Sequence, residues 1–421
     1  MANERQDIES GRGAAAAEVV VVGGGIWGCS IAYHLARAGL TDVVVLERRD
    51  LCTGNTPQAA GLVGQLRSTP LMARGIRRVV ERLTAWEAEH GEPSGFRQVG
   101  SLKVALNQQR RQEIEAQAAQ ARREGVEVEL ISAVQAEARV PFLDFRAMEA
   151  VAWIPGDGYV EPYTLAMAIA RAARARGVRF ETGRPVTGFT VKGGRVRGVE
   201  TARGPVEARE VVVAAGPWGE RLAAPLGLRL DTVPLRHQHW TTAPGPGIPA
   251  AFPVVRVPDA SVYVRPEVGG LMVGGFEARP KAFSMASLPG AFEIENTERD
   301  LGVLEELAGG LTKAFPDLGS APILAGCAGL PTFTPDGQYL LGPVPGVAGL
   351  HLATGCNAVG IAGSLLVGEW MAELITEGRT RDDTGSQALA RFGARYADPD
   401  RLRADCQSTY ANFYSMDKGA F

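Results

Sequence analysis

Apolar residues fall along this chain in short unbroken runs and in helical stripes, and the two patterns alternate. Val19 to Val22 form an all-β-branched run, the mark of a parallel strand buried on both faces. GGGIWG follows at 23–28, then Ile31, Ala32, Leu35 and Ala36 at helical spacing, and Gly39 stops the helix. Val43 to Leu46 predict a second buried strand with Glu47 at its end. Residues 71–90 and 108–125 read as amphipathic, charge-rich helices, and 163–177 as an Ala/Arg-rich helix ended by Gly177. Short strands are expected over 178–182, 186–191, 196–201 and 206–214, separated by turn signals such as KGGR and RGP. From 233 to 277 the pattern is strand-rich, 295–315 is helical, and 351–378 is again strand, turn and helix. The tail from 379 is polar and is expected to pack on the surface. No repeat or low-complexity linker divides the chain.

Composition narrows the classes. Lys+Arg 44 against Asp+Glu 47 leaves a net charge of −3, which argues against a general nucleic-acid binder. Hydrophobic content of 45% excludes a disordered chain. Residues 1–17 lack a basic segment followed by an apolar one, so they read as a flexible lead and no secretory signal. No apolar run is long and clean enough for a membrane span. The five cysteines (Cys29, Cys52, Cys327, Cys356, Cys406) have no metal spacing and read as free thiols, and the expected location is cytoplasmic. The outlier is glycine, 52 of 421 residues.

Gly23, Gly25 and Gly28 fit G-x-G-x-x-G. In a chain this rich in glycine the spacing arises roughly once by chance, so its context carries the inference. A buried strand precedes it, a helix follows, and Glu47 ends the next strand 19 residues after Gly28. Gly23 suits a tight turn, Gly25 a close approach to a pyrophosphate, and Gly28 close packing of helix on strand. The helix start offers free N–H groups to phosphates, and Glu47 can accept from a ribose diol. VVVAAGPWG at 211–219 and HLATGCNAVGIAG at 351–363 are two more strand ends expected to converge on the same ligand. A helix start around 355–363 would face the ring of a flavin.

These residues, with TGNTPQAAGLVGQLR, FRQVGSLKVA, WIPGDGYVEPY, HQH at 237–239, VYVRPE at 262–267 and TPDGQYLLGPVPG, resemble the D-amino-acid-oxidase-like FAD-dependent oxidoreductase family. The likeness is greatest to the flavoprotein part of dimethylglycine and sarcosine dehydrogenases and oxidases, and it covers roughly residues 18–380. It implies an α/β (α+β) fold in which an FAD-binding doubly wound domain is interleaved with an antiparallel-sheet substrate domain. The expected boundaries are 18–90, 150–225 and 325–380 for the first, 91–149 and 226–324 for the second, and a tail over 381–421. FAD contacts are implied at Ile26, Trp27 and Arg48, along the loop through Gly54, Asn55, Thr56, Gln58, Ala59, Ala60, Gly61 and Leu62, and at Val186. They continue at Ala215, Gly216 and Trp218, and at Gly355, Asn357, Gly360 and Ile361. The implied reaction passes a hydride from the carbon beside an amine nitrogen to flavin N5, and water hydrolyses the imine.

Departures from the family pattern sharpen the expectation. Relatives with covalent FAD carry Trp-His before Ala-Ala-Gly; here the pair is Pro57-Gln58, so FAD is expected to be non-covalent. Cys327 stands too early for the covalent cysteine of monomeric sarcosine oxidases, Gly329 being nearer that place. Met272 occupies the place of their oxygen-activating lysine, and Pro331 the place of the carboxylate-binding arginine of glycine oxidases. No folate domain is expected within 421 residues. At the substrate face, alternation puts His237 and His239 on one side of their strand, and Tyr263 and Arg265 together on theirs. His237 is expected to orient the amine or keep it neutral, Tyr263 to hydrogen-bond the substrate, and Arg265 or Arg67 to pair with a carboxylate. The resemblance implies a small amine or N-methyl amino acid as substrate, and oxygen or an electron-transfer protein as acceptor. The alternatives are a flavin-bearing β-like subunit of a multi-subunit oxidase, which GNT at 54–56 and Arg67 bring to mind, and a deaminating amino-acid oxidase.

Overall fold

The computed structural model describes residues 15–245, 247–318 and 321–415. Most of the flexible lead expected over residues 1–17 therefore lies outside the described residues.

Two eight-stranded sheets organise the molecule. The all-valine run extends to Ala16–Val22 and sits centrally, parallel to Val43–Leu46 on one side and to Val206–Val213 on the other. Arg179–Glu181 extends the parallel ladder beyond Val43–Leu46, and Leu350–Thr354 extends it beyond Val206–Val213. The strand's side chains divide by parity. Val19 and Val21 face a helical layer made of Ile26–Arg37, Pro162–Arg174 and Ser364–Glu377. Val20 and Val22 face a core shared with Val196, Val199 and Leu352. On that side an antiparallel ribbon, Val186–Lys192 and Arg195–Thr201, runs into Val206–Val213, where a second helical layer would otherwise lie.

The second sheet runs in the order Ile323–Gly329, His237–Thr242, Gly270–Gly275, Val262–Glu267, Val254–Val257, Ser101–Ala105, Ala150–Ile154, Glu129–Ile131. Its pairings are antiparallel except that Val254–Val257 lies parallel to Ser101–Ala105. Sheet membership thus puts residues 150–154 and 323–329 with the second sheet. One face buries Val255, Val264 and Val273 against Leu307, Leu311 and Phe315 from the helix Leu301–Ala314 and its end.

The polar tail does more than coat the surface. Its helix Pro399–Ala411 buries Leu402, Cys406 and Tyr410 against Val233 and Phe333. The expected surface packing is corrected here: a few aromatic side chains carry the tail into the protein. Among the described residues no helix is long and apolar enough to cross a membrane.

Candidate active site

A cavity of about 550 Å³ lies between the sheets. That is within the range of roughly 300–1,000 Å³ usual for small-molecule sites. At one end it is floored by the glycine turn. A Cβ on Gly23, at φ +109°, would lie 2.6 Å from the Ala214 carbonyl oxygen, and one on Gly28 would lie 1.9 Å from the Gly23 oxygen. These two glycines are demanded by the protein's own backbone. Gly25 is different. Its φ is −73° and an added Cβ would meet only Thr56 Oγ1 at 3.4 Å, so the protein leaves the cavity beside it empty of side chain. The helix beginning at Ile26 has no side-chain cap on Gly25, and Ile26 N donates to Thr56 Oγ1 at 3.1 Å.

The three distant segments do converge. Ala214 N donates to the Val22 oxygen at 2.9 Å, and Trp27 Nε1 donates to the Gly360 oxygen at 2.9 Å. Glu47 Oε2 accepts from Gly24 N at 2.7 Å and Oε1 from Arg49 N at 2.9 Å. Each carboxylate oxygen keeps a further lone pair for a hydroxyl. Arg48 stacks over Trp218 at 4.1 Å from the ring centroid, and both line the cavity. The loop 54–62 crosses above, with Gly54, Asn55, Gln58, Ala59, Ala60, Gly61 and Leu62 on the wall. Val186, Ala215, Gly216 and Ile361 complete this end.

Three expected contacts do not line the wall. Gly28 packs helix on turn, as above. Gly355 sits at φ +69° behind the wall, against Thr334. Asn357 is spent on the protein: Oδ1 accepts from Thr334 N at 2.9 Å and Nδ2 donates to the Gly355 oxygen at 2.6 Å. Residues 355–363 form turns rather than a helix start, with Asn357 and Ala358 at positive φ, and the helix begins at Ser364.

At the other end the second sheet supplies the wall. His237 Nε2 lies 3.1 Å from Tyr263 Oη, and Nδ1 lies 2.9 Å from Tyr410 Oη. Burial, then His239, pushes His237 down to about 3, so its ring is neutral. Burial raises the Tyr263 and Tyr410 hydroxyls, and the backbone of Glu277 opposes this for Tyr410. Phe276, Phe413 and Tyr414 add aromatic surface, and Arg67 and Arg256 add charge. Burial brings Arg67 down to about 10, and its buried Nε has no hydrogen-bond partner.

Arg265 and His239 are placed differently from expectation. Arg265 donates to the oxygens of Ala60 and Pro266, both at 2.8 Å, pairs with Glu267 at 2.7 Å and stacks on Tyr159. Its Nε and Nη1 donors are used inside the protein and it does not line the cavity, which leaves Arg67 as the arginine of the pair that faces it. His239 lies deeper along its strand, opposite Cys327 and Gly274, and burial followed by Arg265 pushes it down to about 4. Gln58 accepts from Cys327 Sγ at 2.6 Å. Burial pushes the Cys327 thiol up to about 11, and Cys356 upward as well, so neither is an available thiolate.

Tyr410, Phe413 and Tyr414 were missed from sequence because they sit in a polar tail. The aromatic spacing in TYANFY at 409–414 was the available signal. Arg256 was hidden inside a strand of valines.

Residues 18–374 match the family model described as "DAO: FAD dependent oxidoreductase". The chain is 33% identical over 411 residues to mitochondrial sarcosine dehydrogenase of Homo sapiens, covering 95% of this chain and 44% of that protein. It is 33% identical over 394 residues to mitochondrial dimethylglycine dehydrogenase of Rattus norvegicus, covering 90% and 45%. The chain therefore spans less than half the length of these relatives. Among solved structures it is similar to an L-proline dehydrogenase from P. horikoshii (TM-score 0.80, 27% identity, 90% of this chain and 98% of that one). A glycine oxidase from Geobacillus kaustophilus is also similar (TM-score 0.76, 25% identity, 90% and 99%).

Proposed function

Because the chain belongs to the DAO family of FAD-dependent oxidoreductases, we propose that it holds FAD non-covalently and oxidises a small secondary or tertiary amine, an N-methyl amino acid of the sarcosine or dimethylglycine kind. The residues fit the cofactor. Gly25 leaves room where a pyrophosphate would approach, Glu47 keeps lone pairs for a ribose, and Arg48 with Trp218 walls the same end. Gln58 carries no nucleophile and the nearby thiols are protonated, which supports a non-covalent cofactor. Bound FAD supplies the hydride acceptor.

The observation that carries the reading is a neutral His237 hydrogen-bonded to Tyr263 on the wall of the cavity that also contains the glycine cradle. A neutral imidazole has one donor and one acceptor nitrogen. In the tautomer we propose, Nδ1 accepts from the Tyr410 hydroxyl. Nε2 then carries the ring proton and donates to Tyr263 Oη, and the Tyr263 hydroxyl proton is free for substrate. Tyr263 orients the amino acid, Arg67 pairs with its carboxylate, and the aromatic wall of Phe276, Phe413 and Tyr414 keeps the reacting carbon dry. The substrate amine must arrive with its lone pair free; the carbon beside it then loses a hydride, and water converts the imine to carbonyl and amine. The five unpaired cysteines support a reducing compartment such as the cytoplasm.

The test is an anaerobic screen of flavin reduction by N-methyl and cyclic amino acids, followed by air. Bleaching by an N-methyl amino acid is expected. Failure of every amine to bleach the flavin would overturn the assignment. Rapid recolouring in air separates an oxidase from an enzyme that needs an electron-transfer partner.

A further inference from the structure

Behind Arg67, Arg256 and Tyr414 lies a second cavity of about 90 Å³. Those three residues line both spaces. A water occupies about 30 Å³ in the liquid, so the chamber has room for a carboxylate-sized group. Lys103, on the strand Ser101–Ala105, enters from the second sheet, and Gln117, on the helix Gln108–Arg123, from above.

The charges here do not balance. Lys103 is 5% exposed, its ammonium donates to Gln117 Oε1, and it lies 5.9 Å from the Tyr414 ring centroid. Arg67 Nε is buried without a partner. Arg256 Nη1 donates to Asp157 Oδ2 at 3.3 Å. Asp157 is already engaged: Oδ1 accepts from Gln65 N at 2.8 Å and Oδ2 from Ser101 Oγ at 2.6 Å. Glu113 is held by Arg110. Burial, then Arg256 and Arg110, pushes Lys103 down to about 7. Buried cations are costly without a counter-charge. Among the described residues, Asp157, already engaged, is the carboxylate beside Arg67 and Arg256, and Glu113, the carboxylate nearest Lys103, is shared with Arg110, which also pairs with Asp259.

We propose that this chamber is a subsite for a second anionic group of the substrate, a carboxylate borne on its side chain or N-substituent. On that basis, which builds on the amine-oxidation reading, the preferred substrates are dicarboxylic N-alkyl amino acids. The first carboxylate meets Arg67 in the main cavity, and the second reaches Lys103 and Arg256 behind it. Gln117 holds the Lys103 ammonium toward the chamber, and Tyr414 forms the threshold between the two spaces.

The test is binding, which needs no turnover. Acetate, glutarate and monomethyl glutarate are titrated into the flavin-loaded protein, and dissociation constants are read from the perturbed flavin spectrum. Glutarate is expected to bind at least tenfold tighter than either monoanion, and Lys103→Met to abolish that preference while leaving acetate affinity unchanged. Equal affinities in the native protein would overturn the proposal, as would a Lys103→Met variant that weakens all three ligands alike. If that variant does not fold, the comparison of glutarate with its monomethyl ester in the native protein decides alone. Tight glutarate binding with no amine able to reduce the flavin would sink the amine reading and keep the anionic chamber.

Discussion

Tyr410 fixes the chemistry of a histidine that sits 173 positions away in sequence. Replacing Tyr410 with Phe removes the Nδ1 partner and leaves a buried acceptor, a defect of about 1–3 kcal/mol. The imidazole can then turn its proton to Nδ1 and accept from Tyr263, which takes the Tyr263 proton away from substrate. We expect Tyr410→Phe to slow anaerobic flavin reduction about tenfold or more at saturating amine, with a nearly unchanged flavin dissociation constant. Stability falls in either case, but a purely structural tyrosine would weaken flavin binding and leave that limiting rate alone. Gln58 supports a second expectation: acid precipitation should release the yellow colour into the supernatant, and a yellow pellet would refute non-covalent attachment. At this scale strand alternation and motif position pointed to His237, Tyr263 and Arg67, and all three line the cavity. It misplaced Arg265, because alternation says which face a side chain takes and not whether carbonyls such as that of Ala60 have already claimed its donors.

The βα turn separates two uses of glycine. Gly28→Ala would drive a methyl to within 1.9 Å of the Gly23 oxygen, so helix and strand must move apart. Gly25→Ala would place its methyl 3.4 Å from Thr56 Oγ1, an ordinary contact. Gly25→Ala is therefore expected to change the stability of the flavin-free protein by less than ~0.5 kcal/mol. Its flavin affinity should fall at least tenfold, about 1.4 kcal/mol. Gly28→Ala is expected to lower both, by denaturant melts and by flavin titration. Equal behaviour of the two variants would argue against a phosphate at Gly25. The helix expected over 71–90 was legible from its apolar face and appears as Pro70–His90, and the charge-rich one expected over 108–125 appears as Gln108–Arg123, which buries only Ile114, Gln117, Ala118 and Ala121. The turns at 355–363 were not legible, because glycine and small apolar residues suit a helix start and a tight loop equally well. The helix Pro399–Ala411 was not legible, because Leu402, Cys406, Thr409 and Tyr410, the residues it buries, are scattered among charged neighbours in a tail read as polar throughout.

Across the whole molecule, buried histidines set the acid limit. His34 and His237 are each held at about 3 and His239 at about 4, in every case first by burial, against an ordinary 6.5. The folded values are depressed, so protons bind the unfolded chain first as the pH falls. Their stabilisation is complete above pH ~6.5 and drains as the pH drops toward the folded values, at up to ~1.4 kcal/mol per pH unit for each histidine. The urea midpoint should therefore be lower at pH 5 than at pH 7.5. His34→Gln, which does not touch the cavity, should flatten that slope by about one proton; an unchanged slope would refute the assignment.

The order of strands in the first sheet also constrains how the chain reaches its native state. Val211, Val212 and Val213 are completely or almost completely buried, and their outer ladder partner, Leu350–Thr354, arrives nearly 140 residues later in the chain. Until then this all-valine strand end presents an open row of amides and carbonyls, a template for pairing with another chain. Such distant pairing folds slowly and exposes intermediates to aggregation. An N-terminal fragment ending anywhere between 214 and 349 would inherit that sticky edge permanently, so it should be recovered from inclusion bodies rather than as a soluble domain.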